Sequence, residues 1–247
     1  MTAPASPDQD GILIRGLSFA VAGKTILSGL DAHLTEARIG IVGRNGSGKT
    51  TLLRLIAGLI SPTKGQMRIF GIDPARDRKA AIGTVGLLFQ NPDHQIIFPT
   101  VEEELAFGLR QQGRTDAEAR GLARAVLARH GRSHWAGASV QTLSQGQRHY
   151  LCLLSVLAMG PAVILLDEPF SGLDLPTQAQ LTRALDALPQ QLVTITHDPA
   201  LVEGYDRVLW LDNGRLRADG PAGPVLAAFG AEMQRLGDRD ADADLPD

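Results

Sequence analysis

The sequence predicts an α/β fold with a mainly parallel sheet, and three observations support that prediction. Residues 12–34 alternate and turn like antiparallel strands. Residues from about 91 to 160 have a helical pattern. On both sides of that section, short apolar runs alternate with helical patterns, which is typical of parallel strands joined by helices. We therefore expect a parallel sheet with an antiparallel section before it and a helical section inserted into it.

The elements expected before residue 91 are strands, with one helix among them. The helix is predicted by the helical spacing of Leu52, Leu53, Leu55 and Ile56, and Gly58 is a suitable helix end. The expected elements are strands at 12–14, 17–21, 26–34 and 38–42, a helix over 49–58, and strands at 66–70 and 84–89.

The first element after residue 91 is a helix that we expect to begin at Thr100. Thr100 and Glu103 have the spacing of a capping box, which is typical of a helix N-terminus. Residues 117–130 predict a helix with Leu122, Val126 and Leu127 on one face. Strands at 163–166, 192–196 and 208–212 follow, together with a helix over 177–188. Residues 237–247 are acidic and nearly free of apolar side chains, so we expect a disordered tail.

Composition excludes several classes of protein. The chain has 247 residues, 44% of them hydrophobic and 21% charged, as in soluble globular proteins. The net charge of −3 lacks the basic excess of a nucleic-acid footprint. The single cysteine, Cys152, rules out a disulfide within one chain and fits a reduced, cytoplasmic setting. Residues 150–166 carry no charge, but Gly160-Pro161 divides them, so we expect a buried helix and a buried strand instead of a membrane span.

Residues 43–50, Gly-Arg-Asn-Gly-Ser-Gly-Lys-Thr, match the phosphate-binding pattern G-x-x-x-x-G-K-[ST] between a buried strand and a helix. Backbone N–H groups of such a loop surround phosphate oxygens, the lysine adds a positive charge, and the Thr hydroxyl binds Mg²⁺. We therefore expect ATP and Mg²⁺ as cofactors. The residues assigned to ATP from this loop are Gly43, Asn45, Gly46, Ser47, Gly48, Lys49, Thr50 and Thr51, with Thr50 also a metal ligand.

A second candidate half of the site is the apolar run 163–166 followed by Asp167 and Glu168. Parallel strands present their carboxyl ends at the edge of the sheet where ligands bind. Asp167 is expected to hold the metal ion, and Glu168 to polarise the attacking water.

The run Leu143-Ser144-Gln145-Gly146-Gln147 lies about two dozen residues before Asp167. With it, the chain resembles the nucleotide-binding subunits of ATP-binding cassette (ABC) proteins, whose LSGGQ signature occupies this place. Gln90 matches the Q-loop, residues 171–174 match the D-loop, and His197 matches the switch histidine. The resemblance covers about residues 12–220.

The resemblance implies the ABC ATPase fold: a P-loop NTPase (RecA-like) core, an antiparallel β-subdomain and an inserted α-helical subdomain. The implied boundaries are 10–220 for the ATPase domain, about 91–160 for the helical subdomain, and 221–247 for a C-terminal extension with an acidic tail.

The resemblance also implies a head-to-tail dimer of two copies that encloses two ATP molecules. Each γ-phosphate would lie between residues 43–50 of one subunit and 144–147 of the other. Glu168, His197 and Gln90 are the implied catalytic residues, with Gln90 also a metal ligand. Ser144, Gly146, Gln147 and Asp174 are the implied nucleotide contacts from the signature and the D-loop.

Two positions depart from the family pattern. Gln145 replaces the first signature glycine. An adenine-stacking aromatic is absent if Val21 holds that position, and we expect Phe19 to lie on the other face of its strand.

The stretch 88–101, with Ile96, Ile97 and Phe98, is similar to the ATPases of energy-coupling factor (ECF) importers of vitamins and metal ions. A transmembrane coupling subunit, a substrate-binding membrane subunit and a peripheral location on the cytoplasmic face of the membrane follow from that resemblance. Residues 37–46 and the short C-terminus favour biotin as the solute, with cobalt or nickel as the next candidates.

Two other functions stay open at this point. One is a non-transport ABC ATPase that acts on nucleic acid or ribosomes, although such proteins usually carry two cassettes or long coiled-coil insertions. The other is a P-loop kinase, which the signature and the switch histidine argue against.

Overall fold

The computed structural model describes residues 10–238, which form two sheets and a set of helices. The first sheet is antiparallel, with the order β2-β1-β4. Its strands are β1 (Ile12–Val21), β2 (Lys24–Leu34) and β4 (Lys64–Ile69). The predicted antiparallel section is confirmed, but the two strands expected before residue 22 are one continuous strand.

The second sheet has the order β5-β6-β7-β3-β8-β9. Its first five strands are parallel, and β9 pairs antiparallel with β8. The strands are β3 (Arg38–Val42), β5 (Val85–Leu88), β6 (Val163–Asp167), β7 (Gln191–Ile195), β8 (Arg207–Asp212) and β9 (Arg215–Gly220). The parallel sheet is confirmed, and β9 is an addition to the prediction.

Seven α-helices lie within residues 10–238. They are α1 (Lys49–Ile56), α2 (Arg78–Thr84), α3 (Val101–Gln111), α4 (Asp116–Arg129), α5 (Gln145–Ala158), α6 (Leu175–Asp186) and α7 (Ala222–Gly237). Helices α3, α4 and α5 share one apolar core, which is the predicted helical section. The uncharged run 150–166 is divided as expected between α5 and β6.

The C-terminal extension begins with α7, which sequence patterns did not predict. Phe229 packs edge-on against Trp210 of β8, with ring centroids 5.5 Å apart. Arg217 of β9 stacks over the same indole at 4.4 Å and pairs with Glu232 of α7. This part of the extension is therefore packed on the core, while the predicted acidic tail lies mostly outside the described residues.

Two local predictions are wrong in detail. Leu122 is 42% exposed, because α4 buries Ala119, Ala123 and Leu127 instead. Thr100 caps α3 by accepting from Glu103 N, but the Glu103 carboxylate accepts from the Thr100 hydroxyl and leaves the capping box half formed.

Phe19 and Val21 do have different surroundings, as expected. Phe19 packs against the core, whereas Val21 is 56% exposed. Strict alternation along a strand would place them on one face. A register shift in β1 between Phe19 and Ala20 accounts for the difference.

Candidate nucleotide-binding site

Three strands of the parallel sheet end at one edge and bring the predicted site residues together. Ile195, the last residue of β7, is in register with Asp167 of β6 on one side and Ile41 of β3 on the other. Gly43, Glu168 and His197 follow these strand ends. Loops at the carboxyl edge of a parallel sheet are the usual ligand site of α/β proteins.

The loop 43–48 depends on glycine at particular positions. Gly48 caps α1 with a φ of +103°, and a Cβ atom there would lie 2.6 Å from Leu27 Cδ2. A Cβ atom on Gly43 would lie 2.2 Å from the carbonyl oxygen of Leu211. Side chains at these positions would displace the loop from the antiparallel sheet and from β8. The loop leads directly into α1, whose N-terminus favours an anion.

Lys49 lies inside this loop with only 7% of its surface exposed. Its Nζ donates to the carbonyl oxygens of Gly43 at 2.6 Å and Arg44 at 2.9 Å. Burial lowers the pKa of Lys49, and the negative charges of Glu168 and Asp167 oppose that shift. A cation held by neutral carbonyls can transfer its hydrogen bonds to phosphate oxygens without a large side-chain movement.

Two carboxyl groups face this lysine from the end of β6. Burial raises the pKa of Asp167, and the neighbouring Glu168 charge raises it further. Glu168 has a left-handed backbone, with a φ of +48°, and its amide donates to Ile195 O at 3.0 Å. Its Oε1 is 2.9 Å from His197 Nδ1. Left-handed conformations of non-glycine residues cluster at functional sites.

Gln90 follows β5, which lies next to β6 in the sheet. Its Nε2 donates to Ser171 Oγ at 3.1 Å, so the predicted Q-loop and D-loop are in direct contact. Ser171 comes three residues after Glu168, and its amide donates to the Glu168 carbonyl at 3.1 Å.

These residues surround one open cavity of about 1560 Å³. Among the predicted residues, its walls include Gly43, Asn45, Gly46, Ser47, Gly48, Lys49, Thr50, Thr51, Gln90, Asp167, Glu168 and His197. Phosphate-loop, metal-ligand and catalytic candidates from four separate parts of the chain therefore meet in one place.

The signature and D-loop candidates Ser144, Gly146, Gln147 and Asp174 do not line this cavity. Ser144 and Gln147 form a capping box at the start of α5, and Asp174 caps α6 by accepting from Thr177 N at 2.9 Å. Ser144, Gln145 and Gln147 are exposed. In a single chain, these residues therefore begin helices at the surface.

Sequence patterns missed several parts of the cavity wall. Lys24, Thr25 and Ile26 of β2 line it, as do Asn213 and Gly214 between β8 and β9. Gly214 N donates to Ser47 O at 3.0 Å, and Ser28 N donates to Gly214 O at 2.9 Å. The Asn-Gly pair signals a turn, but only the strand order places that turn under the phosphate loop.

Residues 29–171, more than half of the chain, match the family model described as ABC transporter. The chain belongs to the ABC transporter family. It has the ABC ATPase fold and is an ATP-binding subunit and ATPase of that family.

Two relatives of this ABC ATPase are named biotin transport ATP-binding protein BioM. The one from Rhodobacter capsulatus is 55% identical over 87% of this chain and 92% of the relative. The one from Rhizobium etli is 42% identical over 87% of this chain and 94% of the relative.

Among solved structures, this ABC ATPase is similar to cbiO1 from Clostridium perfringens, part of the ABC transporter complex cbiONQ. The TM-score is 0.77 at 26% identity, over 92% of this chain and 94% of cbiO1. A cassette solved as a dimer with ADP and phosphate shares the fold, with a TM-score of 0.74 at 23% identity over 85% of this chain and 98% of that one. In residues 10–238, no helix has both the length and the apolar character needed to cross a membrane.

Proposed function

We propose that this ABC ATPase energises an ECF-type importer and that biotin is the imported solute. The observation that carries the proposal is the 55% identity to a biotin transport ATP-binding protein over nearly the whole of both chains. The same name recurs in a second relative at 42% identity. Similarity to cbiO1, part of a multi-subunit ABC transporter complex, supports assembly with membrane subunits.

The nucleotide of this proposal is Mg·ATP. Thr50, Gln90 and Asp167 would hold the metal ion, because all three line the cavity that Lys49 faces. A hydroxyl, an amide and a carboxylate are the oxygen donors that Mg²⁺ binds beside substrate phosphates. The chemistry that bound Mg²⁺ supplies is neutralisation of charge on the β- and γ-phosphate oxygens.

The chain's own residues then position the reacting groups. Glu168 orients and polarises the attacking water, and the imidazole of His197 fixes the Glu168 carboxylate through the 2.9 Å contact. Lys49 transfers its hydrogen bonds from the two loop carbonyls to phosphate oxygens. Catalysis of this kind depends on positioning and electrostatics, because phosphoryl transfer requires little covalent chemistry from the protein.

The second half of each ATP site would come from another copy of the chain in a head-to-tail dimer. Ser144, Gly146, Gln147 and Asp174 lie outside the cavity of their own chain, and the start of α5 is exposed. An exposed helix N-terminus suits an incoming phosphate. We infer a homodimer with two equivalent sites, since one chain contains every catalytic candidate.

The membrane partner would contact the segment that follows Gln90. Ile97 is 67% exposed, while the Glu104 carboxylate accepts from Ile97 N and Phe98 N, both at 2.9 Å. Phe98 packs against Phe107, with centroids 5.1 Å apart, and under Arg110. A rigid segment with an exposed apolar side chain suits a helix-in-groove contact, which would place this subunit on the cytoplasmic face of the membrane.

The domain boundaries complete the proposal: an ATPase domain at 10–220, its helical subdomain at about 91–160, and an extension at 221–247. The shared core of α3, α4 and α5 supports the helical subdomain.

Co-purification tests the assembly. The tagged chain is expressed with the polytopic membrane proteins encoded beside it, extracted in detergent and analysed by mass spectrometry. We expect two copies of this chain with a coupling subunit and a substrate-binding subunit. Recovery with ribosomes or nucleic acid would favour the non-transport alternative, and recovery with a second, different ATPase would contradict the homodimer.

Uptake tests the solute. Cells that lack their own biotin synthesis and receive the whole gene set should accumulate labelled biotin, whereas the same cells with Lys49→Ala in this chain should not. Cobalt or nickel uptake that depends on Lys49, without biotin uptake, would replace biotin with a transition-metal ion and leave the ATPase assignment intact.

A further inference from the structure

His149 is a buried side chain of α5 to which the mechanism above gives no role. Only 1% of its surface is exposed. Its Nε2 lies 3.2 Å from the backbone carbonyl oxygen of Gln90, which is 59 positions earlier in the chain. Nδ1 of the same ring lies 3.3 Å from Gln145 O. A carbonyl oxygen can only accept, so the hydrogen bond to Gln90 O is the one made by the tautomer that carries its proton on Nε2. Within residues 10–238, no other hydrogen bond reaches that oxygen.

The contact belongs to a wider attachment between α5 and the segment 90–93. Arg148 Nε is 3.1 Å from Asp93 Oδ1, and Cys152 Sγ donates to Pro92 O at 3.9 Å. The spacing of Arg148, His149 and Cys152 places them on one side of the helix. The segment after β5 is therefore fixed to the helix that begins at the signature.

Gln90 is held from two sides. Its backbone carbonyl accepts from His149 of α5, and its side-chain Nε2 donates to Ser171 Oγ. The signature also lies near the D-loop directly. A Cβ atom placed on Gly172 would lie 3.4 Å from Gln145 Nε2. The position of Gln90 in the cavity thus depends on where the start of α5 lies.

We propose that His149 is a positioning residue, which transmits the position of the signature helix to Gln90 through the hydrogen bond to its carbonyl. This inference rests on the proposed role of Gln90 in catalysis. A shift of α5, such as docking of a second subunit at its N-terminus would cause, then moves the Gln90 side chain relative to the cavity. ATP binding by the phosphate loop, which His149 does not touch, does not depend on the contact.

The test compares His149→Leu with His149→Gln in the full chain by steady-state ATP hydrolysis. Leucine fills the site without a donor, whereas the glutamine amide can still donate to the Gln90 carbonyl. We expect His149→Leu to lower kcat by about tenfold and His149→Gln to restore most of it, since small misplacements of a positioned group cost up to ~10²-fold. KM for ATP should stay within about twofold, because ground-state binding is untouched.

His130→Leu is the matched control. His130 is another histidine of the helical section, partly buried where His149 is fully buried. Its Nδ1 contacts Tyr150 Oη at 3.1 Å, and it has no hydrogen bond to segment 90–93. We expect His130→Leu to change the melting temperature while kcat stays at the wild-type level. An equal loss of kcat in both leucine variants, or no recovery with glutamine, would overturn the positioning role.

Gln90→Ala separates this inference from the function on which it rests. Both are supported if Gln90→Ala lowers kcat and if adding His149→Leu to it lowers kcat no further. A normal kcat for Gln90→Ala refutes the proposed role of Gln90 and this inference with it. If Gln90→Ala lowers kcat but His149→Leu alone does not, only the inference about His149 fails.

Discussion

At Glu168 the backbone has a φ of +48°, a conformation that a glutamate adopts only when its surroundings enforce it. Two contacts do so: the Glu168 amide donates to Ile195 O, and the carboxylate reaches His197. The strained backbone aims the carboxylate into the cavity beside Lys49. A strained backbone, partial burial and a negative charge beside Lys49 therefore coincide at Glu168.

Glu168→Gln should abolish hydrolysis and leave ATP binding intact. The amide keeps the shape of the side chain but is a much weaker base, so we expect turnover to fall by at least about 10²-fold, the lower range for loss of a general base. Phosphate release measures turnover, and equilibrium binding of ATP measures affinity. Glu203→Gln, at an exposed glutamate outside the cavity, is the control. Turnover within a few-fold of wild type in Glu168→Gln would refute the assigned role.

At the scale of elements, the turn between β8 and β9 supports the phosphate loop. Gly214 has a φ of +74°, and a Cβ atom there would lie 2.2 Å from Ile26 O. Its amide also donates to Ser47 O. Any displacement of this turn therefore moves both β2 and the loop that surrounds the phosphates.

Gly214→Ala should raise the KM for ATP several-fold through that displacement. Gly131→Ala is the matched control, because Gly131 has a similar φ of +66° but open space around it. Both variants should lose stability, by about 1 kcal/mol for the left-handed alanine, and only Gly214→Ala should weaken ATP binding. Equal KM values in the two variants would contradict the supporting role of the turn.

Helices α3 and α4 are joined by a buried carboxylate. Glu102 of α3 accepts from Arg124, and its Oε1 accepts from Arg120 at 3.0 Å. The hydrogen bond from Arg124, together with the charges of both arginines, lowers the pKa of Glu102. A carboxyl group whose pKa is lowered by folding stabilises the fold above its unfolded pKa, and that contribution is lost as the pH falls through the folded pKa.

Glu102→Gln should therefore lower the melting temperature at pH 7 by about 2–4 °C, the change for ~1 kcal/mol in a chain of this size. The difference from wild type should shrink as the pH falls below about 4, near the unfolded pKa of glutamate. Calorimetric scans across this range, with Glu203→Gln as the exposed control, provide the measurement. A difference that stays constant with pH would show that packing, and not the charge, is responsible.

At the scale of the whole molecule, the cavity contains only part of the predicted site. Lys49 lines it, whereas Ser144 lies at the exposed start of α5, outside it. In a head-to-tail dimer, Lys49 of one copy and Ser144 of the other would share an ATP molecule. This arrangement differs from a site within one chain in a way that mixing experiments can detect.

Lys49→Ala and Ser144→Arg should each be inactive alone and regain hydrolysis when mixed. In a mixed head-to-tail dimer, one site receives an intact Lys49 from one chain and an intact Ser144 from the other. Phosphate release before and after mixing measures this. A chain with both substitutions, mixed with Lys49→Ala, provides the control and should stay inactive. Failure of the two single variants to restore each other would contradict the shared site.

The order of the motifs was predictable from sequence alone. Lys49 follows a glycine-rich run after a buried strand, and Glu168 follows another buried strand. Both signals are local, because strand burial and loop conformation depend on neighbouring residues. Such local signals, together with the family resemblance, predicted the parallel sheet and the helical section. They also predicted the cavity residues of the phosphate loop, Gln90, Asp167, Glu168 and His197.

Only the tertiary structure decided which distant residues meet. Gly214 reaches Ser47 because β8 lies beside β3, and His149 reaches Gln90 because α5 packs against the segment after β5. Helix α7 packs on Trp210 through Phe229, although no pattern in 222–237 predicted it. The hydrophobic periodicity of a segment predicts which of its residues are buried. Which residue each of them contacts depends on the spatial order of strands that lie far apart in the chain.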